Sequence, residues 1–124
     1  MEGLPVKKSL LVPLLAASAW AQAASPTPPA PKCDLAVSFG SYAMGIDMAA
    51  LAAVRRILAD RRVRSVEDIR HGREGETCVC ARTRRPAEAR RLFNRIRTVL
   101  PAAPRGPITM RTASGLRFDA PPRP

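Results

Sequence analysis

The sequence predicts an α+β domain: a ferredoxin-like βαββαβ sandwich with two helices on one face of a four-stranded antiparallel sheet. Three observations point there. Leu35, Val37 and Phe39, and later Ile108, Met110 and Thr112, alternate with other residues at the period of half-buried strands. Leu51, Val54 and Leu58, and later Ala89, Leu92, Phe93 and Ile96, form apolar stripes at helical spacing. Two further strand-like runs lie between those stripes, and right-handed crossovers in that order place both helices on the same side.

The elements follow in sequence. Strand Leu35–Phe39 ends in Gly40-Ser41-Tyr42-Ala43-Met44-Gly45, a flexible turn. Asp47 occupies a helix N-cap position, where a carboxylate accepts from the first free amides. The first helix is expected from about Met48 to Asp60, with Arg55, Arg56 and Arg62 off its apolar stripe. Val63, Val66 and Ile69 do not alternate cleanly, so a strand near Ser65–Arg70 is expected with a bend or bulge. His71-Gly72-Arg73-Glu74-Gly75 is a turn, and Thr77–Arg82 completes a hairpin. Pro86 suits the first position of the second helix and Pro101 stops it. Ser114-Gly115 can turn the chain into Leu116-Arg117-Phe118, which leaves room for a short extra hairpin strand.

The start of the chain has the parts of a cleavable signal peptide over residues 1–23. Lys7 and Lys8 precede an apolar run from Leu10 to Ala19, and Ala19-Trp20-Ala21 and Ala21-Gln22-Ala23 offer small-x-small cleavage patterns. A spanning helix needs about 20 apolar residues, so no transmembrane segment is expected in the mature chain. Residues 24–32 hold Pro26, Pro28, Pro29 and Pro31 and read as an extended linker. The domain is expected at 33–119, with a disordered tail at 120–124. This address implies a periplasmic or secreted protein.

The formal net charge is +11, nearly all of it from arginine. Such a surplus favours anionic partners, here peptidoglycan, anionic lipid or an acidic envelope protein. A GC-rich genome writes the same arginines into any solvated face, so charge alone does not decide. Nucleic acid is disfavoured by the export signal and by an aromatic content of only 4%. Arg82, Arg84, Arg85, Arg90, Arg91 and Arg95, on the second helix and its approach, form the candidate basic patch.

Three cysteines follow the linker. Cys78 and Cys80 lie i, i+2 on one strand, about 6.5 Å apart with parallel side-chain vectors, which suits a disulfide poorly. Cys33 shares the parity of the apolar residues of the first strand and is expected to face the core. Antiparallel pairing brings the later part of the third strand toward the start of the first, so Cys33–Cys80 is the expected disulfide. Cys78 is then left over. The competing reading takes Cys78 and Cys80 as paired thiolates for copper or zinc, although C-x-C alone is not a structural zinc pattern.

No catalytic set emerges and no cofactor is expected. Gly40–Gly45 precedes a helix, as an anion cradle would, but it lacks the Lys-Ser/Thr of a nucleotide loop and Asp47 would repel phosphate. Ser41 and His71 show no spacing that supports a nucleophile pair. Val37-Ser38-Phe39-Gly40-Ser41-Tyr42 with its Ala-rich helix, and Thr83-Arg84-Arg85-Pro86-Ala87-Glu88-Ala89-Arg90-Arg91-Leu92, resemble SPOR-type domains from Leu35 to about Leu100. Those are small ferredoxin-like modules that bind septal peptidoglycan. The chain is also similar to other small exported bacterial proteins. The resemblance implies a non-catalytic binding module, and no binding residue is carried over from it.

Overall fold

The computed structural model describes residues 32–124. The expected signal peptide (1–23) and the linker up to residue 31 lie outside the described residues. The compact unit Pro31–Pro124 contains everything that follows. Its elements are β1 (Leu35–Phe39), α1 (Met48–Leu58), β2 (Val63–Arg70), β3 (Thr77–Thr83), α2 (Pro86–Val99), β4 (Ile108–Thr112) and β5 (Arg117–Ala120). The sheet has five strands in the order β2-β3-β1-β4-β5, and every neighbouring pair is antiparallel. The expectation of four strands is therefore corrected. Gly115, at φ +108, closes the turn into β5, which runs on through the buried Ala120.

The core follows from strand alternation. Val37 stands opposite Val79 on one side and Met110 on the other, while Leu35 and Phe39 are flanked in the same way. Leu35, Val37, Phe39, Val79, Ala81, Ile108 and Met110 thus share one face, and Ala50, Leu51, Val54, Leu58, Leu92, Phe93 and Ile96 pack on it from the two helices. Arg97 of α2 sits over the Phe118 ring at 5.4 Å, which ties the helix to β5. The irregular alternation near Val63 marks a register shift between Val63 and Ser65. That bulge lets Val63 pack against the core before the chain continues as an edge strand.

The loop between β1 and α1 is held from two sides. Ser41 Oγ accepts the amides of Ala43 and Gly45, each at 2.9 Å, and donates to Glu74 Oε1 at 2.5 Å. Ala43 keeps a φ of 97° within this wrap. Across the molecule, Gly40 N donates to Pro107 O at 2.8 Å. Gly106 packs so close to that strand end that a Cβ on it would stand 2.1 Å from Gly40 O. Asp47 caps α1, with Oδ1 accepting from Ala50 N at 3.0 Å and Oδ2 from Arg105 N at 3.0 Å. One buried carboxylate therefore fixes both the helix start and the α2–β4 loop. The Arg105 amide, followed by the Ala50 amide, holds the Asp47 carboxyl below the usual aspartate range.

Cys33 and Cys80 form a disulfide with Cα atoms 5.3 Å apart. Its position differs from the expectation that Cys33 faces the core. Cys80 stands opposite Ala36, between the core residues Val79 and Ala81, so it points to the sheet face turned away from the helices. Cys33 precedes β1 by two residues, so the pleat of that strand does not govern its direction.

Two measurements check this architecture. Asp47→Ala should cost about 1 kcal/mol or more at neutral pH, the usual worth of an N-cap, because an Arg105 contact is lost as well. A carboxyl whose folded-state pKa is depressed contributes fully above its unfolded value near 4 and loses that contribution as pH falls through the folded value. The stability gap between native chain and variant should therefore close below about pH 4; an equal gap at pH 3 and pH 7 contradicts the assignment. Replacing both Cys33 and Cys80 by Ala should lower the unfolding free energy by about 4 kcal/mol, from closing the loop between them. Denaturant curves that coincide with the native chain contradict a stabilising bridge.

Candidate functional site

Two arginine runs far apart in the sequence meet at one end of the sheet. Asp60 sits in the loop after α1, where its Oδ1 accepts from Arg62 N at 2.8 Å and its carbonyl from Val63 N at 3.0 Å. This tight turn sends the chain into β2 with Arg61, Arg62 and Arg64 exposed. The other run, Arg82, Arg84 and Arg85, leaves β3 beside it. Arg84 N donates to Arg62 O, and Arg84 Nε donates to Arg61 O, both at 3.1 Å. Two loops that carry arginine on their outward side are thereby stitched together by main-chain acceptors.

The local anchors are polar and mutual. Thr83 N donates to Asp34 Oδ2 at 2.8 Å, and Thr83 Oγ1 donates to Arg85 O at 3.0 Å. At the start of α2, Arg85 N donates to Glu88 Oε1 and Glu88 N donates to Arg85 O, each at 3.0 Å. These exchanges satisfy amides that a helix start would leave open.

Charge at this end is poorly balanced. Asp60 Oδ2 lies 3.5 Å from Arg62 Nη1 and 3.3 Å from Arg95 Nη1, and Glu88 Oε2 lies 4.0 Å from Arg62 Nε. Arg61, Arg64, Arg82, Arg84 and Arg85 have no carboxylate partner among the described residues. The Arg62 amide, then the Arg62 and Arg95 charges, hold the Asp60 carboxyl below its usual range. Asp60 stays ionised at neutral pH and spreads Arg62 and Arg95 around itself, while the remaining guanidinium groups face solvent.

The expected patch is only partly one surface. Arg82, Arg84 and Arg85 belong to the stitched end, and Arg95 reaches toward it through Asp60. At 100° per residue, Arg91 lies on the outer crest of α2. Arg90 shares the far flank with Arg97, which stands over Phe118. Arg61, Arg62 and Arg64 are the members that sequence reading missed. Their signal is present as a dense basic run, but nothing local says which other run it joins.

The remaining candidates fall into place differently. Cys80 is held in the disulfide, so Cys78 and Cys80 do not stand as two thiolates, and Cys78 alone is free. Among the described residues no group of three or more His, Cys, Asp and Glu side chains is placed to hold a metal ion. Ser41 uses its donor and both acceptor positions within its own loop contacts and with Glu74, so its hydroxyl is engaged structurally. His71 instead donates its backbone amide to Glu76 O at 2.8 Å in the hairpin turn. No helix among the described residues is long and apolar enough to cross a membrane.

Comparison with known proteins returns no match: no family model, no curated protein and no solved structure corresponds to this chain.

Removing the carboxylate at the centre of this end should raise its affinity for anions. With Asp60→Asn, retention of the chain on a sulfonated cation exchanger should shift to higher salt than a control Asp119→Asn, which lies on β5. Equal shifts contradict a concentrated basic end.

Proposed function

We propose that this chain is an exported, non-catalytic module of the cell envelope that binds an anionic or glycan ligand through the basic end just described. The observation that carries the reading is the joining of Arg61-Arg62-Val63-Arg64 to Arg82-Thr83-Arg84-Arg85 by the hydrogen bonds from Arg84. Arginine presents a planar fork of donors that suits carboxylate and phosphate oxygens. Several such groups held on short, hydrogen-bonded turns lose less freedom on binding than the same groups on a mobile tail. Export is supported by the three-part start of the sequence and by a disulfide, a bond that persists in oxidising compartments.

The sandwich itself reads as ferredoxin-like, with β2-β3-β1-β4 as the four-stranded order and β5 added at one edge. Fold alone supplies no ligand, so the proposal stands on the arginines. The resemblance of Val37–Tyr42 and Thr83–Leu92 to SPOR-type domains favours peptidoglycan among the anionic envelope polymers. An anionic lipid surface offers the same charge.

The experiment compares retention of the processed chain on purified peptidoglycan and on phosphatidylglycerol vesicles at low and high salt. Binding to at least one is expected at low salt and should weaken sharply near 1 M, where screening reaches about 3 Å. On vesicles, each arginine near the surface contributes about 1 kcal/mol. The triple variant Arg61→Ala, Arg64→Ala, Arg85→Ala should then bind roughly a hundredfold more weakly, whereas Arg90→Ala with Arg91→Ala should lose less. No retention on either material overturns the proposal.

A further inference from the structure

The helices leave one strand of the sheet uncovered. On the helix side of the edge strand β2, Val66, Asp68 and Arg70 are all exposed. A groove runs between α1 and β2. At one end it opens into a cavity of about 490 Å³ lined by Met44, Ile46, Met48, Leu51, Arg70 and Glu74, among others. At the other end a second hollow of about 430 Å³ lies among Leu58, Ala59 and Val66. Arg55 and Asp68 line both and form an ion pair across the groove.

Exposure along this groove is unusual for apolar residues. Met44 is 93% exposed, Met48 64% and Val66 43%, and among the described residues the only other large apolar side chains so open are Tyr42 and Val99. Thioether side chains adapt to varied apolar partners. Past Leu58 and Ala59, which line the second hollow, the chain continues into the turn that carries Asp60, Arg61 and Arg62 and the start of β2 with Arg64. Apolar character at one end thus gives way at the other to Arg61 and Arg64, which pair with no carboxylate among the described residues, and to Arg62, which Asp60 and Glu88 share.

We propose that this groove docks an extended segment of a partner protein, acidic at one end and carrying alternate apolar side chains along the rest. The segment adds as a sixth strand to the free edge of β2. The partner's chemistry follows from three features. Edge amides and carbonyls of β2 pair with no strand among the described residues, which suits main-chain addition. The Arg55–Asp68 pair in mid-groove offers polar contacts that a peptide backbone can use and an acyl chain cannot. Charge complementarity sets the direction of the segment, with acidic residues against Arg61, Arg62 and Arg64 and an apolar anchor between Met44 and Met48. Charges along β2 itself (Arg64, Glu67, Asp68 and Arg70) work against indiscriminate edge pairing, so charge pattern selects the partner. The proposal rests in part on the basic end, since that end receives the acidic residues.

The test uses the isotope-labelled processed chain and synthetic decapeptides in which three Glu residues precede alternating Leu and Ser, in both sequence directions. Saturable shifts are expected in the amides of Val66–Arg70 and the methyl groups of Met44 and Met48. Lys in place of the Glu residues, Ser in place of Leu, or Met44→Glu with Met48→Glu in the protein should each weaken binding at least tenfold. Both methionines are exposed, so the variant folds, and its binding to anionic vesicles should fall far less than that of the arginine triple variant. Unmoved β2 amides, equal affinity for all peptides, or self-association through β2 without peptide overturns the groove. Peptide binding without any retention on vesicles or peptidoglycan leaves the groove standing and removes only the envelope-polymer reading.

Discussion

The structure depends on β1 lying between β3 and β4. A five-residue strand buries Leu35, Val37 and Phe39 completely, and each meets a core residue or a buried threonine on both sides. Among the described residues only two rings, Phe39 and Phe93, are buried in the core, so little aromatic packing compensates for a lost row. A shift of one residue in this register would turn the three side chains outward and expose Ala36 and Ser38 to the helices. Both helices, the disulfide and the arginine turns are placed by that pairing. Asp34 illustrates the coupling: its amide bonds to Ala81 O, its carbonyl accepts from Ala113 N and its carboxylate accepts from Thr83 N.

Concentration of charge at one end is a consequence of the same layout. Arginine cannot enter a small aliphatic core, so it collects on turns, outer helix faces and edge strands. Most carboxylates serve other tasks. Asp47 caps α1, Asp34 binds Thr83 and Glu74 takes the Ser41 hydroxyl. Asp119 accepts from Thr109 and Arg117, with the Arg117 contact the main cause of its lowered pKa. Glu76 accepts from the Glu74 amide inside the hairpin turn, which lowers its pKa in turn. Acidic residues thus stabilise loops locally, and the arginines near Asp60 and Glu88 are left in excess. Only physical contact between the two arginine loops makes that excess a surface.

Much of the fold was legible in the sequence because its signals are local. Strict alternation at Leu35–Phe39, the Asp47 cap and the Pro86–Pro101 bracket of α2 each act over a few residues. The disulfide partner was legible for a longer-range reason: antiparallel pairing leaves Cys80, not Cys78, near the chain before β1. Its face was not, because parity extrapolated from β1 does not bind a residue outside the pleat. The fifth strand gave only the faint signal of Ser114-Gly115. At the basic end, half of the arginines were visible as the approach to α2. Arg61, Arg62 and Arg64 were hidden in the stretch whose alternation the bulge disrupts, and their union with Arg84 depends on contacts more than twenty residues apart.

Register is therefore the quantity to measure. Through-space proton contacts in the labelled chain should connect the backbone of Val37 to both Val79 and Met110, and that of Arg62 to Arg84. Finding β1 beside a single neighbour, offset by one residue, or Arg62 remote from Arg84, would contradict both the sandwich and the surface built on it.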